Sequence, residues 1–258
     1  MGYYSITVKP EIDVAALAAG NIGDSEVLFD WKGFDVPNNA AMLQSLHVLV
    51  RGKNGADYTP TDMELFYGKS HNGVRPTTFG DDGAAVDTPG WFHNLIGKTY
   101  VDASGGANDT SLIYMNAITV GNPNQGIASA SQLGFLVPSS NGLILQGEPN
   151  TGSSVGYSKL YVTGLAQTSN WNWGASTMTV DGSMSTLSPT LTVADLDATI
   201  ALAPGDVLRD EDDLYLGVVK SVDSATQVTL VDNLFATSSN DKIVYNTTPI
   251  TLIFGFHY

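Results

Sequence analysis

Along most of this chain apolar side chains recur at every second position, in short runs interrupted by glycine, proline, asparagine and aspartate. That period belongs to strands buried on one face, and the interruptions are turn chemistry. The final segment is the clearest. After Pro249, the residues Ile250, Leu252, Phe254, Phe256 and Tyr258 all fall on one face, and a proline at a strand start removes no ladder hydrogen bond. The same alternation occurs at Leu46, Val48 and Val50, at Met63 and Leu65, and at Leu160 and Val162. With 27 Gly and 11 Pro spread over 258 residues, few stretches are long enough for a helix. Residues 11–19 are read as one short helix. In residues 191–203, Val193, Leu196 and Ile200 have helical spacing, but Thr190, Thr192, Thr199 and the Pro204-Gly205-Asp206 turn favour strand, so strand is expected.

The fold class that follows is all-β, a jelly-roll-like β-sandwich with a smaller β-barrel-like module. The stretch QTSNWNWGAS, residues 167–176, marks a change of texture. Before it lie long Gly/Asn-rich loops at 72–90 and 102–110, and after it strands are short and closely spaced. The expected organisation is a sandwich over 1–168, a small barrel-like module over 176–246 and a terminal strand over 247–258. A hinge is expected at 171–175. If the terminal strand returns to the sandwich, the small module is an insertion.

Charge narrows the function classes. Eleven Lys and Arg against 26 Asp and Glu give a net charge of −15, yet charged residues make up only 14% of the chain. Globular proteins average about 25%, so the surface must be built largely from Ser, Thr, Asn and Gly. The negative sign argues against nucleic acid, whose phosphates require Lys and Arg. There is no cysteine, hence no disulfide framework. No apolar run approaches the ~20 residues of a bilayer-spanning helix, and MGYYSITVKPEIDV lacks a signal-peptide pattern. A chain made in a cytoplasm, without a membrane partner, is expected.

Residues with chemical potential were weighed one by one. The segment GSSVG at 152–156 matches the Gly-x-Ser-x-Gly nucleophile elbow, with Asp206 and His257 following in the matching order. An elbow needs a helix after the serine, whereas YSKLYVTG reads as a strand, so no catalytic residue is assigned. His47, His71, His93 and His257 show no metal-ligand spacing, and neither metal nor cofactor is expected. Asp210, Glu211, Asp212 and Asp213 lack the alternation of a calcium loop and read as a solvated hairpin tip. Trp31 and Trp91 lie in the sandwich half; exposed rings among the tryptophans could stack on sugars, but packing between domains or subunits is the expected role. Trp171 and Trp173 flank the proposed boundary. Together with Phe254, Phe256 and Tyr258 they form the candidate interface.

The stretch AMLQSLHVLVRGKNGADYTPTDMELFYGKS, with LYVTGLAQ about ninety residues later, resembles a pattern of bacteriophage virion β-sandwich proteins of the capsid decoration or cement type. LAPGDVLRDEDDLYLGVVKSVDSATQVTLVDNLFA is similar to the small β modules of phage structural proteins. The resemblance implies a non-enzymatic virion protein, assembled in the host cytoplasm. It would dock on the major capsid protein or other virion proteins, as a homo-oligomer, by surface burial. The alternative it leaves open is a tail, neck or fibre-associated protein that recognises host-surface glycans.

Overall fold

The computed structural model describes residues 2–38, 41–55, 62–101, 112–115, 143–150, 156–167, 171–174, 176–182, 184–234 and 237–257. The described chain is nearly all β, and its sheets are antiparallel. Its strands are β1 (Tyr3–Val8), β2 (Val27–Pro37), β3 (Ala41–Arg51), β4 (Met63–Lys69), β5 (Leu95–Val101), β6 (Leu112–Met115), β7 (Leu143–Leu145), β8 (Glu148–Pro149) and β9 (Tyr157–Ala166). They continue with β10 (Thr179–Val180), β11 (Thr190–Ala194), β12 (Val207–Asp210), β13 (Tyr215–Ser224), β14 (Gln227–Leu230), β15 (Val244–Asn246) and β16 (Ile250–His257). Two short helices, α1 (Val14–Ala19) and α2 (Ala198–Ala201), accompany them.

The first sheet runs β1-β16-β3-β6, with β7 also on β3; the second runs β2-β9-β4-β5, with β8 also on β9. They pack face to face. Phe34 from the second sheet stacks on Phe254 from the first, centroids 5.1 Å apart and planes within 7°, and Tyr67 meets Phe254 edge-on at 6.1 Å. The close approach of Phe29 fixes Gly164 on β9, because any Cβ there would strike the ring.

The terminal strand owes its alternation to this packing. β16 lies between β1 and β3, with Phe254 opposite Ile6 on one side and Leu46 on the other. Its inward residues Ile250, Leu252, Phe254 and Phe256 are at most 1% exposed.

The third sheet, β10-β11-β14-β13-β12-β15, is drawn wholly from residues 179–246. It nearly closes on itself. Thr179 bridges Ile243, the Val180 N–H donates to the Lys242 carbonyl at 2.9 Å, and the Val244 N–H donates to the Met178 carbonyl at 2.8 Å. Near closure satisfies the edge groups that an open sheet would expose.

Residues 191–203 depart from the expected strand. β11 stops at Ala194, Asp195 takes a left-handed φ of 63°, and Asp197 caps α2 by accepting the Thr199 N–H at 2.8 Å. Threonines set the first half, whereas the short side chain of Asp197 sets the second.

Candidate functional site

The most connected polar group lies where the third sheet meets the sandwich. Asp206, in the turn before β12, is 1% exposed. Its carboxylate accepts from Lys9 Nζ at 2.9 Å, from Arg51 Nη1, from the Ala203 N–H at 2.8 Å and from Asn246 Nδ2 at 3.0 Å. Lys9 follows β1 and Arg51 ends β3. Their remaining donors reach across the same seam, Lys9 to the Pro204 carbonyl and Arg51 to the Ala201 carbonyl, each at 3.1 Å. Burying a carboxylate is tolerable only with such pairing. Gly55 permits the neighbouring contact, since a side chain there would meet the Ile200 carbonyl at 2.6 Å.

The tryptophans of the proposed boundary belong to this seam and not to an outer surface. Trp171 and Trp173 are 1% and 7% exposed, with rings 5.6 Å apart. Trp171 bridges Ile22 and donates Nε1–H to the Asp62 carbonyl at 3.2 Å, while Trp173 donates to the Arg51 carbonyl at 2.9 Å. The expected hinge at 171–175 is therefore fastened at both indoles; Ala175 lies outside the described residues. Leu17, Arg51, Trp173, Met178, Leu202 and Tyr245 line a cleft here of about 50 Å³.

Phe254 and Phe256 point into the chain's own core, at 0% and 1% exposed. Tyr258 lies outside the described residues. Trp31 and Trp91 are not open sugar platforms either. Trp91 is 6% exposed, and residues 79–92 fold back over half of the second sheet's outer face, joining Trp31, Phe66, Phe79 and Trp91 into one cluster.

Of the elbow pattern, residues 152–155 lie outside the described residues; Gly156 leads directly into the ten-residue strand β9. Asp206 is engaged at the seam, and His257 lies against Tyr3 at 5.1 Å. His47 sits in β3 opposite Ile253, His71 in a tight turn paired with Val74, and His93 in the 3-10 turn Gly90–Asn94. Among the described residues no group of three or more His, Cys, Asp or Glu is arranged to hold a metal.

The acidic tip is only partly solvated. Asp210 is 2% exposed and organises the turn, accepting the N–H groups of Asp212 and Leu214 at 3.0 Å each and the Ser238 hydroxyl at 2.5 Å. Glu211 and Asp212 hold Lys242 at 2.7 and 3.0 Å. Those two hydrogen bonds raise the Lys242 pKa.

The other half of the second sheet's outer face carries a partly exposed tyrosine pair. Tyr157, Lys159 and Tyr161 alternate along β9 opposite Pro37, Asp35 and Gly33 of β2. Tyr157 is 42% exposed. Asn150 donates to Asp35 at 3.0 Å, Lys159 lies 3.7 Å from Asp35, and the Tyr161 hydroxyl lies 3.4 Å from that of Ser70. At about 3.3 Å per residue the two tyrosines stand ~13 Å apart, with a carboxylate, an amide and an ammonium between them. The period-two pattern around LYV marks this strand, but its apolar members draw attention to the inner face and away from the tyrosines.

No family model, no curated protein and no solved structure matches this chain. Its resemblance to phage virion proteins rests on the short sequence stretches alone.

Proposed function

We propose that this chain is a non-enzymatic structural protein of a phage particle, of the capsid decoration type. The observation that carries the reading is strand order. Counting β1, β2, β3, β4, β5, β6, β9 and β16 as the first to eighth principal strands, the two sheets run 1-8-3-6 and 2-7-4-5. That order supports reading the sandwich as a jelly roll, an architecture used by viral shells and by lectins. The closed module is then an insertion between the seventh and eighth strands, anchored through Asp206. Docking falls to the outer surfaces, because the aromatic side chains of β16 and of the seam are internal. Homo-oligomerisation and binding to the major capsid protein belong to the same reading.

A second reading has its own support. The tyrosine face, with Asp35 and Asn150 between two rings, suits the stacking and hydroxyl contacts of a glycan receptor. It fits a tail, neck or fibre position.

Copy number in purified particles separates the two. Quantitative mass spectrometry against the major capsid protein is expected to give hundreds of copies per particle. A few copies to a few dozen would overturn decoration in favour of the receptor reading, and absence from the particle would overturn both.

A further inference from the structure

The sandwich has outer strands whose backbone edges differ in protection. Exposed edges recruit other strands unless charge, bulges or covering segments blunt them. β2 carries Asp30, Lys32 and Asp35; Lys32 pairs with Glu11 at 3.2 Å, and the Val27 end is hydrogen-bonded to Gly83 and Ala84. β5 carries Lys98, paired with Glu64 at 2.9 Å. β1, YYSITV, carries no charge over six residues, and β6 and β7, also uncharged, have only four and three.

Among the described residues nothing covers this edge of β1. Tyr4 and Ile6 point towards the core yet remain partly exposed, whereas their register partners Phe256 and Phe254 on β16 are fully enclosed. On the outer face Tyr3, Ser5 and Thr7 are exposed, Tyr3 at 78%. Among the described residues β16 is the only strand paired with β1.

We propose that β1 pairs antiparallel with β1 of a second copy of this chain, joining the first sheets of two sandwiches into one continuous sheet. The occupant follows from the edge itself. Free backbone donors and acceptors require a strand, and an uncharged edge meets its own copy without like-charge repulsion. A two-fold axis normal to the sheet keeps Tyr3, Ser5 and Thr7 of both copies on one outer face, and Tyr4 and Ile6 of both copies on the inner face. The contact is isologous and closes at two copies. Stable interfaces bury about 1,200–2,000 Å² in total; a six-residue strand pair is small by that measure, so a reversible dimer follows. The inference is independent of the phage reading, because it rests on the edge and not on the particle.

Sedimentation velocity over about 1–100 µM is expected to show a monomer–dimer equilibrium. Ser5→Lys and Thr7→Lys place a charge of each copy on the exposed face of the shared strand pair. Each should raise the dissociation constant at least about tenfold without altering the monomer's melting temperature. The chain lacks cysteine, so Ser5→Cys and Thr7→Cys, oxidised singly and as a mixture, report register directly. At least one combination should form a disulfide-linked dimer, since the bridge needs Cα atoms within about 7 Å. This second readout stands even if a lysine variant folds poorly. A wild type that stays monomeric, a dimer indifferent to both lysines, failure of every cysteine combination, or assemblies growing beyond two copies would each overturn the proposal.

Discussion

The sandwich and the inserted module are both closed around apolar cores, yet they fill them with different side chains. The sandwich core contains Phe29, Phe34, Tyr67, Trp171, Trp173, Phe254 and Phe256, along with Tyr245 contributed by β15. Among the described residues, the module core from Met178 to Val244 consists of Val, Leu, Ala and Met. Two sheets packed face to face stand about 10 Å apart, which rings can fill by interdigitation. A small sheet curled on itself has a narrower interior, filled among the described residues by aliphatic chains. Interior geometry, more than overall hydrophobicity, therefore selects the residue type. Tyr245 makes the point within one strand. It leaves the module's interior and packs into the sandwich core beside the tryptophans, while its neighbour Val244 stays in the module.

The largest expected effect comes from breaking that contrast at its centre. Phe254→Ala removes the ring on which Phe34 and Tyr67 pack, and should cost about 3–5 kcal/mol in chemical denaturation. The converse, Leu216→Phe in the module, adds a ring where the sheet has closed, and should cost about 1–3 kcal/mol through overpacking. If the module accepts the ring without loss, interior width does not explain its composition.

The next effect tests whether the two cores unfold as one. Asp206→Asn removes the charge that faces Lys9 and Arg51 and leaves both cations at a partly buried seam. Breaking buried pairs costs about 3–5 kcal/mol. Lys9 and Arg51 are 23% and 18% exposed, so water screens part of the loss and about 2 kcal/mol is expected. More telling is the shape of the transition. Calorimetry should resolve two unfolding steps in the variant where the wild type shows one, because the aromatic and aliphatic cores then separate. A single, uniformly shifted transition would mean that Trp171, Trp173 and Tyr245 hold the seam unaided.

Much of this architecture is legible in the sequence because period-two alternation reports strands buried on one face. Ile250 through Phe256 announce a buried strand, but not which neighbours bury it, since pairing with β1 and β3 spans the whole chain. The same ambiguity covers the candidate interface. The aromatics at 171–173 and 254–256 have the composition of a packed contact, and only tertiary structure distinguishes an internal one from an external one. Asp206 was visible as part of a turn, whereas its partners Lys9 and Arg51 lie 197 and 155 residues away. The β1 edge left its mark in a lack of charge, a feature that acquires meaning only once the strand is known to be an outer one.

The smallest effect concerns the other side of the contact between the two regions, where like charges meet. Asp82 accepts the N–H groups of Asp13 at 2.8 Å and Asp30 at 3.1 Å, and burial, with the charges of Asp13 and Asp30 adding to it, pushes its pKa up from 3.8 to about 7. Asp13 is raised as well, by burial and by the charges of Asp213 on the module and Asp81 beside it, while Arg209 opposes them. Asp206 draws the two regions together, and Asp13 against Asp213 pushes them apart. Between pH 4 and about 7 the folded chain holds a proton on Asp82 that the unfolded chain has released, so this group's contribution to stability falls as pH rises through that window and levels off above it. Thermal melts from pH 5 to 8 should show a decline of a few degrees, since 1 kcal/mol moves the melting temperature of a chain this size by about 2–4 °C. Asp82→Asn forfeits one backbone acceptor and should be less stable at the acid end, but its slope over the window should flatten. An unchanged slope would locate the titration elsewhere and leave Asp82 ionised throughout.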